Sequence, residues 1–222
     1  MANTIKNNGN CYLCGKEFGK TAMKNHLIKE HISSDGTDIS FLLKVEDKYD
    51  KSYWLYLDVL EKSTLNSLDK FLRKIWLECC GHLSEFTNAG REKVGKNSKI
   101  GMVFGLHDKL NYEYDFGSPT DLVITCIGRH YVPNRKNGIE LVARNVPTKY
   151  ICSECGEEAV VFAPGYYNGH EDDKFFYEEC FDKLENDESV FFTVTNSPRM
   201  GVCGYEGEFD VYEFDADKLK KK

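Results

Sequence analysis

Apolar and polar residues alternate from Phe41 onward, with Phe41, Leu43 and Val45 on one side and Lys44 and Glu46 on the other. A second alternation sets Tyr53, Leu55, Leu57 and Val59 against Trp54, Tyr56 and Asp58. A period of two is that of a strand with one buried face, and the Asp-Lys-Tyr-Asp-Lys between the runs suits a hairpin connection. The period then changes. Leu65, Leu68, Phe71, Leu72, Ile75, Trp76 and Cys79 recur at spacings of three and four. This predicts the main helix, capped by Ser63 or Thr64, ended by Gly81, and laid with its stripe on a sheet. Residues 100–105, 111–117, 121–127 and 139–144 read as further short strands punctuated by Gly, Asn and Pro. Beyond Cys152 the pattern breaks up, with an exposed turn over 166–173, a short helix over 175–184 and a strand over 191–195. The expected fold class is α+β, a mostly antiparallel sheet carrying one main helix.

The segments before Phe41 follow neither period. Residues 33–40, rich in Ser, Asp and Gly, read as a linker behind a first unit of residues 1–32. Residues 41–150 form the central domain, 151–216 an acidic, loop-rich region and 217–222 a Lys-rich tail. The 222 residues are 41% hydrophobic and 29% charged, which excludes wholesale disorder and collagen-like repeats. No apolar run approaches the roughly 18 residues of a membrane span. The N-terminus has no apolar stretch behind it, so a cytoplasmic, reducing location is expected.

In that setting nine cysteines point to metal or redox chemistry before disulfides. Residues 11–31 carry the pattern C-x2-C-x11-H-x4-H, formed by Cys11, Cys14, His26 and His31. Zinc takes four soft or borderline N and S ligands in a tetrahedron, and a CxxC turn with a helix bearing two histidines supplies them. Phe18 and Met23 stand where a small ββα finger keeps its apolar core. The pattern resembles the two-Cys, two-His zinc fingers, with a spacer of eleven where twelve is usual. The base-reading positions of such a finger fall on Gly19, Ala22 and Asn25. Gly and Ala make no bidentate base contact, so only weak phosphate contact through Lys16, Lys20, Lys24 and Lys29 is expected.

A second CxxC, Cys152 and Cys155, is followed by Gly156. Cys180 is the best third ligand for zinc there, and His170 and Cys203 compete for the fourth place. Cys79, Cys80 and Cys126 have Trp76, Leu77, Ile124 and Ile127 as neighbours and read as core thiols. His82 reads as a hydrogen-bonding residue after the helix, and Asp115 as a turn former. With Arg129 and His130 these are the central polar candidates, and none composes a familiar catalytic motif.

Charge divides unevenly. Residues 1–31 hold five Lys against two acids, while residues 151–222 hold seven basic residues against eighteen acidic ones. Only the finger has the sign that phosphates attract, and the acidic third suits a basic protein partner.

Several stretches of the central segment, Phe41–Val45, Tyr53–Val59, Ile75–Phe86, Leu110–Gly117 and Asp121–Thr125, resemble the Ri-plasmid open-reading-frame-three-like family. Its members are also labelled insertion-element passenger proteins. Tyr-Asp-Phe-Gly at 114–117 is the most specific element, and Asn196–Tyr205 is similar to the tails of longer members. The resemblance implies an α+β fold and a mobile-element setting, with no defined biochemistry. Longer relatives carry further Cys pairs, whereas here Tyr177 stands where a CxxC with Cys180 would begin. Ser118-Pro-Thr-Asp replaces the aromatic and His that members place after Tyr-Asp-Phe-Gly. The reading that follows is a zinc-binding, non-enzymatic interaction protein. The alternatives are a nucleic-acid-binding accessory protein of a mobile element, or a metal-dependent enzyme using an open zinc position.

Overall fold

A computed structural model describes residues 8–169, 171–184, 190–207 and 212–219. Nine strands form one antiparallel sheet: β1 (Asn8–Cys11), β2 (Glu17–Gly19), β3 (Asp38–Asp47), β4 (Trp54–Leu60), β5 (Ser84–Thr87), β6 (Lys93–Val94), β7 (Lys109–Tyr114), β8 (Thr120–Val132) and β9 (Ile139–Asn145). Their spatial order is β2-β1-β9-β4-β3-β8-β7-β5-β6. The two alternating runs read from the sequence are the β3–β4 hairpin, paired from Ser40 with Leu60 to Glu46 with Trp54.

Strand β4 is buried along its whole length because both faces are covered. On one face Leu55, Leu57 and Val59 pack with Leu65, Leu68, Leu72 and Trp76. These last four belong to α2 (Leu65–Leu72) and the π-helical turn Arg73–Leu77 that continues it. On the other face Trp54 and Tyr56 pack with Met23 and Leu27 of α1 (Lys20–Glu30), together with Cys11. The helix starts as the sequence predicts, with the Thr64 hydroxyl accepting from the Ser67 amide at 3.2 Å. It ends earlier, at Leu77, because the wider turn closes through Glu78 N–H on the Arg73 carbonyl at 2.8 Å. Cys79 therefore follows the helix rather than ending it, half-buried at the edge of the core.

The segment 1–32 is joined to the central sheet through its own strand. Gly9, Asn10 and Cys11 of β1 pair with Asn145, Arg144 and Ala143 of β9. The expected linker 33–40 is shorter than its boundaries, since Asp38–Ser40 already belong to β3. The expected strand over 100–105 is instead a single helical turn, Ile100–Val103, whose Ile100 side chain is buried. A β-carbon at Gly9 would collide with the Arg144 carbonyl oxygen and the Trp54 indole. Gly9→Ala is therefore expected to lower the denaturation midpoint, by about 1–3 kcal/mol in stability. An unchanged midpoint would mean that β1 does not pack there.

The C-terminal region adds a three-stranded sheet of β10 (Val161–Ala163), β11 (Lys174–Phe176) and β12 (Phe192–Thr193), in the order β11-β10-β12. The chain then returns to the main sheet. Asn145 donates to the Asn196 side-chain oxygen at 2.7 Å, and Asn196 donates to the Asn145 carbonyl at 3.1 Å. Arg144 pairs with Glu213 at 3.1 Å, and the Tyr12 hydroxyl donates to the Tyr212 carbonyl at 2.5 Å. Of the Lys-rich tail, Asp217–Leu219 lie in a helical turn and the last three lysines fall outside the described residues. Among the described residues no helix is long and apolar enough to cross a membrane.

Candidate metal centres

Cys11 and Cys14 lie on a knuckle after β1. The Gly15 amide donates to the Cys11 carbonyl at 2.8 Å and the Cys11 amide to the Lys16 carbonyl at 2.9 Å. Gly15 has φ 77°, a left-handed conformation that glycine adopts without a β-carbon clash. His26 projects from α1, and His31 is the residue at its C-terminal end. The four converge: Cys11 Sγ lies 3.6 Å from His31 Nε2, Cys14 Sγ 3.2 Å from His26 Nε2, and the two Nε2 atoms are 3.2 Å apart. Bonds of ~2.3 Å to sulfur and ~2.0 Å to nitrogen in a tetrahedron space S and N by ~3.5 Å. The group therefore has the dimensions of a metal site. Burial, and then the neighbouring Lys16 or His26 charge, holds both imidazoles below their ordinary range, in the neutral form that ligates. Burial pushes the Cys11 thiol up to about 11, so a cation would have to displace its proton.

Cys152 and Cys155 repeat the same turn. The Gly156 amide donates to the Cys152 carbonyl at 3.2 Å, the Cys152 amide to the Glu157 carbonyl at 2.7 Å, and Gly156 has φ 81°. Cys180, on the helical turn Glu178–Phe181, joins them, the three sulfurs lying within 4.8 Å of one another. Burial raises the Cys152 thiol, but backbone amides of Tyr177, Cys155 and Glu154 outweigh it and bring it to about 6. The structure thus brings Cys180, the third ligand expected from the sequence, together with the CxxC pair. Of the two candidates for the fourth place, His170 lies outside the described residues.

The other candidate, Cys203, sits elsewhere. It belongs to a group with Cys79, Cys80 and His82, whose ligand atoms also fall within 4.8 Å of one another. The reading of Cys80 as a core thiol is therefore corrected, since it is exposed, whereas Cys79 is half-buried and packs at the edge of the core. Cys126 is a core thiol as expected, fully buried against the α2 side of the sheet. Asp115 does form a turn, accepting from the Gly117 amide at 3.0 Å, and it also pairs with the fully buried Arg199 at 2.6 Å. His130 is buried and faces Asp58 at 3.2 Å, and Arg129 lies 3.5 Å from Glu61 at the surface. The sequence reading missed the third group because its fourth member, Cys203, lies 121 positions beyond His82. Its one local signal was a Cys-Cys-Gly-His string at a helix end.

No protein-family model matches the chain, and no curated protein does. Among solved structures, the protein of unknown function MM3350 from Methanosarcina mazei Go1 aligns over 69% of this chain and 94% of its own. The identity is 18% and the TM-score 0.42, values too low to carry an argument about function.

Proposed function

We propose that this chain is a zinc-stabilised, non-enzymatic interaction protein of the cytoplasm. The observation that carries this reading is the convergence of Cys11, Cys14, His26 and His31 beneath a helix that roofs Trp54 and Tyr56. Two thiolates and two imidazoles at tetrahedral spacing suit zinc among the first-row ions. Four protein ligands leave no coordination position for a substrate, the arrangement of a structural site. The acidic C-terminal third, with eighteen acids against seven basic residues, favours a basic protein partner.

Nucleic-acid binding has less support. Gly19, Ala22 and Asn25 offer at most one base-reading side chain, and Lys20 is engaged by Glu46 at 3.0 Å and by the Lys51 carbonyl at 3.0 Å. The resemblance to a mobile-element family is what keeps that reading as the alternative. The test is native mass spectrometry of the purified full chain, paired with mobility shifts on DNA. Zinc is expected in the wild type, with one ion fewer in Cys14→Ser. At about 50 mM salt and micromolar protein no DNA shift is expected. An undiminished zinc count in Cys14→Ser would sink the zinc-finger reading. A DNA shift that weakens steeply with salt would replace the protein-interaction reading with the accessory one.

A further inference from the structure

We propose that Cys79, Cys80, His82 and Cys203 hold a separate tetrahedral metal ion of the zinc type, which clips the returning C-terminal segment to the end of the main helix. Cys80 Sγ lies 2.8 Å from His82 Nε2 and 3.6 Å from Cys203 Sγ. His82 Nε2 lies 3.3 Å from Cys203 Sγ, and Cys79 Sγ is 3.7 Å from Cys80 Sγ. Around an ion with ~2.3 Å sulfur bonds, tetrahedral sulfurs are ~3.8 Å apart and a sulfur and a nitrogen ~3.5 Å apart. Three thiols and one imidazole make a soft, closed donor set of the kind that selects zinc over magnesium or calcium.

The surroundings of the group are also those of a metal site. A metal-bound histidine is normally oriented by a carboxylate on its other ring nitrogen. His82 Nδ1 faces the Asp115 carboxylate at 3.5 Å, leaving Nε2 turned to the cysteines. Asp115 is itself fixed by the Arg199 guanidinium at 2.6 Å, and Arg199 donates further to the Ser118 carbonyl and the Thr120 hydroxyl. The backbone that presents Cys203 is anchored independently of any ion. Ser197 Oγ donates to the Trp76 carbonyl at 2.6 Å and accepts from the Arg199 amide at 2.9 Å. Gly81 beside Cys80 and Gly204 beside Cys203 have φ 78° and 64°, and Cys203 itself has φ 55°. Both ligand-bearing turns are thus held in left-handed conformations that aim the sulfurs at one point. Cys80 and Cys203 are 123 positions apart, so an ion here closes the later strands of the central domain, β5 to β9, and most of the C-terminal region into one loop.

The experiment counts ions in the full chain by native mass spectrometry, with zinc as the probe metal. Cys203→Ser is expected to lose one ion per chain, His82→Ala the same ion, and the double variant still only one. Cys155→Ser combined with Cys203→Ser is expected to lose two, which separates this site from the Cys152 knuckle. An unchanged ion count in Cys203→Ser would overturn the proposal. So would additive losses in Cys203→Ser with His82→Ala, or a Cys155→Ser variant that loses the same ion as Cys203→Ser. Thiol alkylation of the wild type gives a readout that does not depend on a variant folding. Cys80 and Cys203 should resist the reagent until a chelator is added and react afterwards. Cysteines that remain unreactive after chelation, in a protein lighter by two hydrogens, would show a disulfide there and overturn the metal site.

Discussion

Cys14→Ser is expected to unroof one face of the main sheet as well as to release a metal ion. Cys14 is exposed, so serine there disturbs no packing and acts through the lost thiolate. The helix it helps to hold covers Trp54 and Tyr56 with Met23 and Leu27, all fully buried or nearly so. The finger has few apolar residues of its own, and structural zinc supplies apparent binding free energies of about 10–16 kcal/mol in small fingers. Losing the ion while exposing two aromatic side chains, each contributing about 2–3 kcal/mol on burial, should destabilise the chain on the order of 5 kcal/mol. The chain has two tryptophans, and Trp76 lies on the opposite face of the sheet from the finger. A red shift of emission in Cys14→Ser, abolished in a Trp54→Phe background, would locate the exposure. Zinc loss with unshifted emission would mean that the finger helix stays docked without metal.

That coupling between finger and sheet was partly legible in the residues. The alternation in β4 identifies the strand, but the side opposite Leu55 and Leu57 carries the large aromatics Trp54 and Tyr56 beside a single charge, Asp58. Two large aromatics on a supposedly wet face are the mark of a second covering layer, which the finger provides. The convergence of Cys11, Cys14, His26 and His31 is readable because all four residues lie within 21 consecutive positions and the spacing is fixed by one turn and one helix. The Cys79–Cys203 group is local in three members only, and Cys203 stands 121 positions beyond His82. Helical periodicity runs through to Cys79, but the π-helical turn at Arg73–Leu77 ends the helix before it and leaves Cys79 at the edge of the core beside an exposed Cys80. On sequence Cys203 competes with His170 for the fourth place at the Cys152 knuckle, whereas Ser197 and Arg199 anchor its loop to Trp76 and Asp115. The segment 100–105 was misread because Ile100, Met102 and Phe104 alternate like a strand. Bonds from the Ile100 amide to the Ser63 carbonyl and from the Phe104 amide to the Ile100 carbonyl instead make it a turn of helix.

Asp69→Asn is expected to cost about 3–5 kcal/mol at neutral pH, the penalty for leaving buried charge without its partner. Asp69 is a charged residue on the buried face of α2. Its carboxylate accepts from Ser84 Oγ at 2.5 Å, the Tyr112 hydroxyl at 2.9 Å, Lys96 Nζ at 3.0 Å and Arg73 Nε at 3.0 Å. It thereby ties α2 to β5 and β7. Arg73, oriented by it, donates to the His82 carbonyl at 2.6 Å and so holds the turn that carries Cys79 and Cys80. Burial raises the Asp69 carboxyl, but the bonds from Ser84, Lys96 and Tyr112 and the Arg73 charge outweigh it, holding the group below its usual range. A carboxyl depressed by folding contributes stability that is complete above its unfolded value of about 3.9 and is lost as pH falls through the folded value. The gap in denaturation midpoint between wild type and Asp69→Asn should therefore be widest at pH 7 and narrow below about pH 4. Running both proteins with a chelator present takes metal release out of the comparison, so their difference isolates the carboxylate. A gap of equal size at pH 7 and pH 3 would mean that Asp69 acts through shape rather than charge.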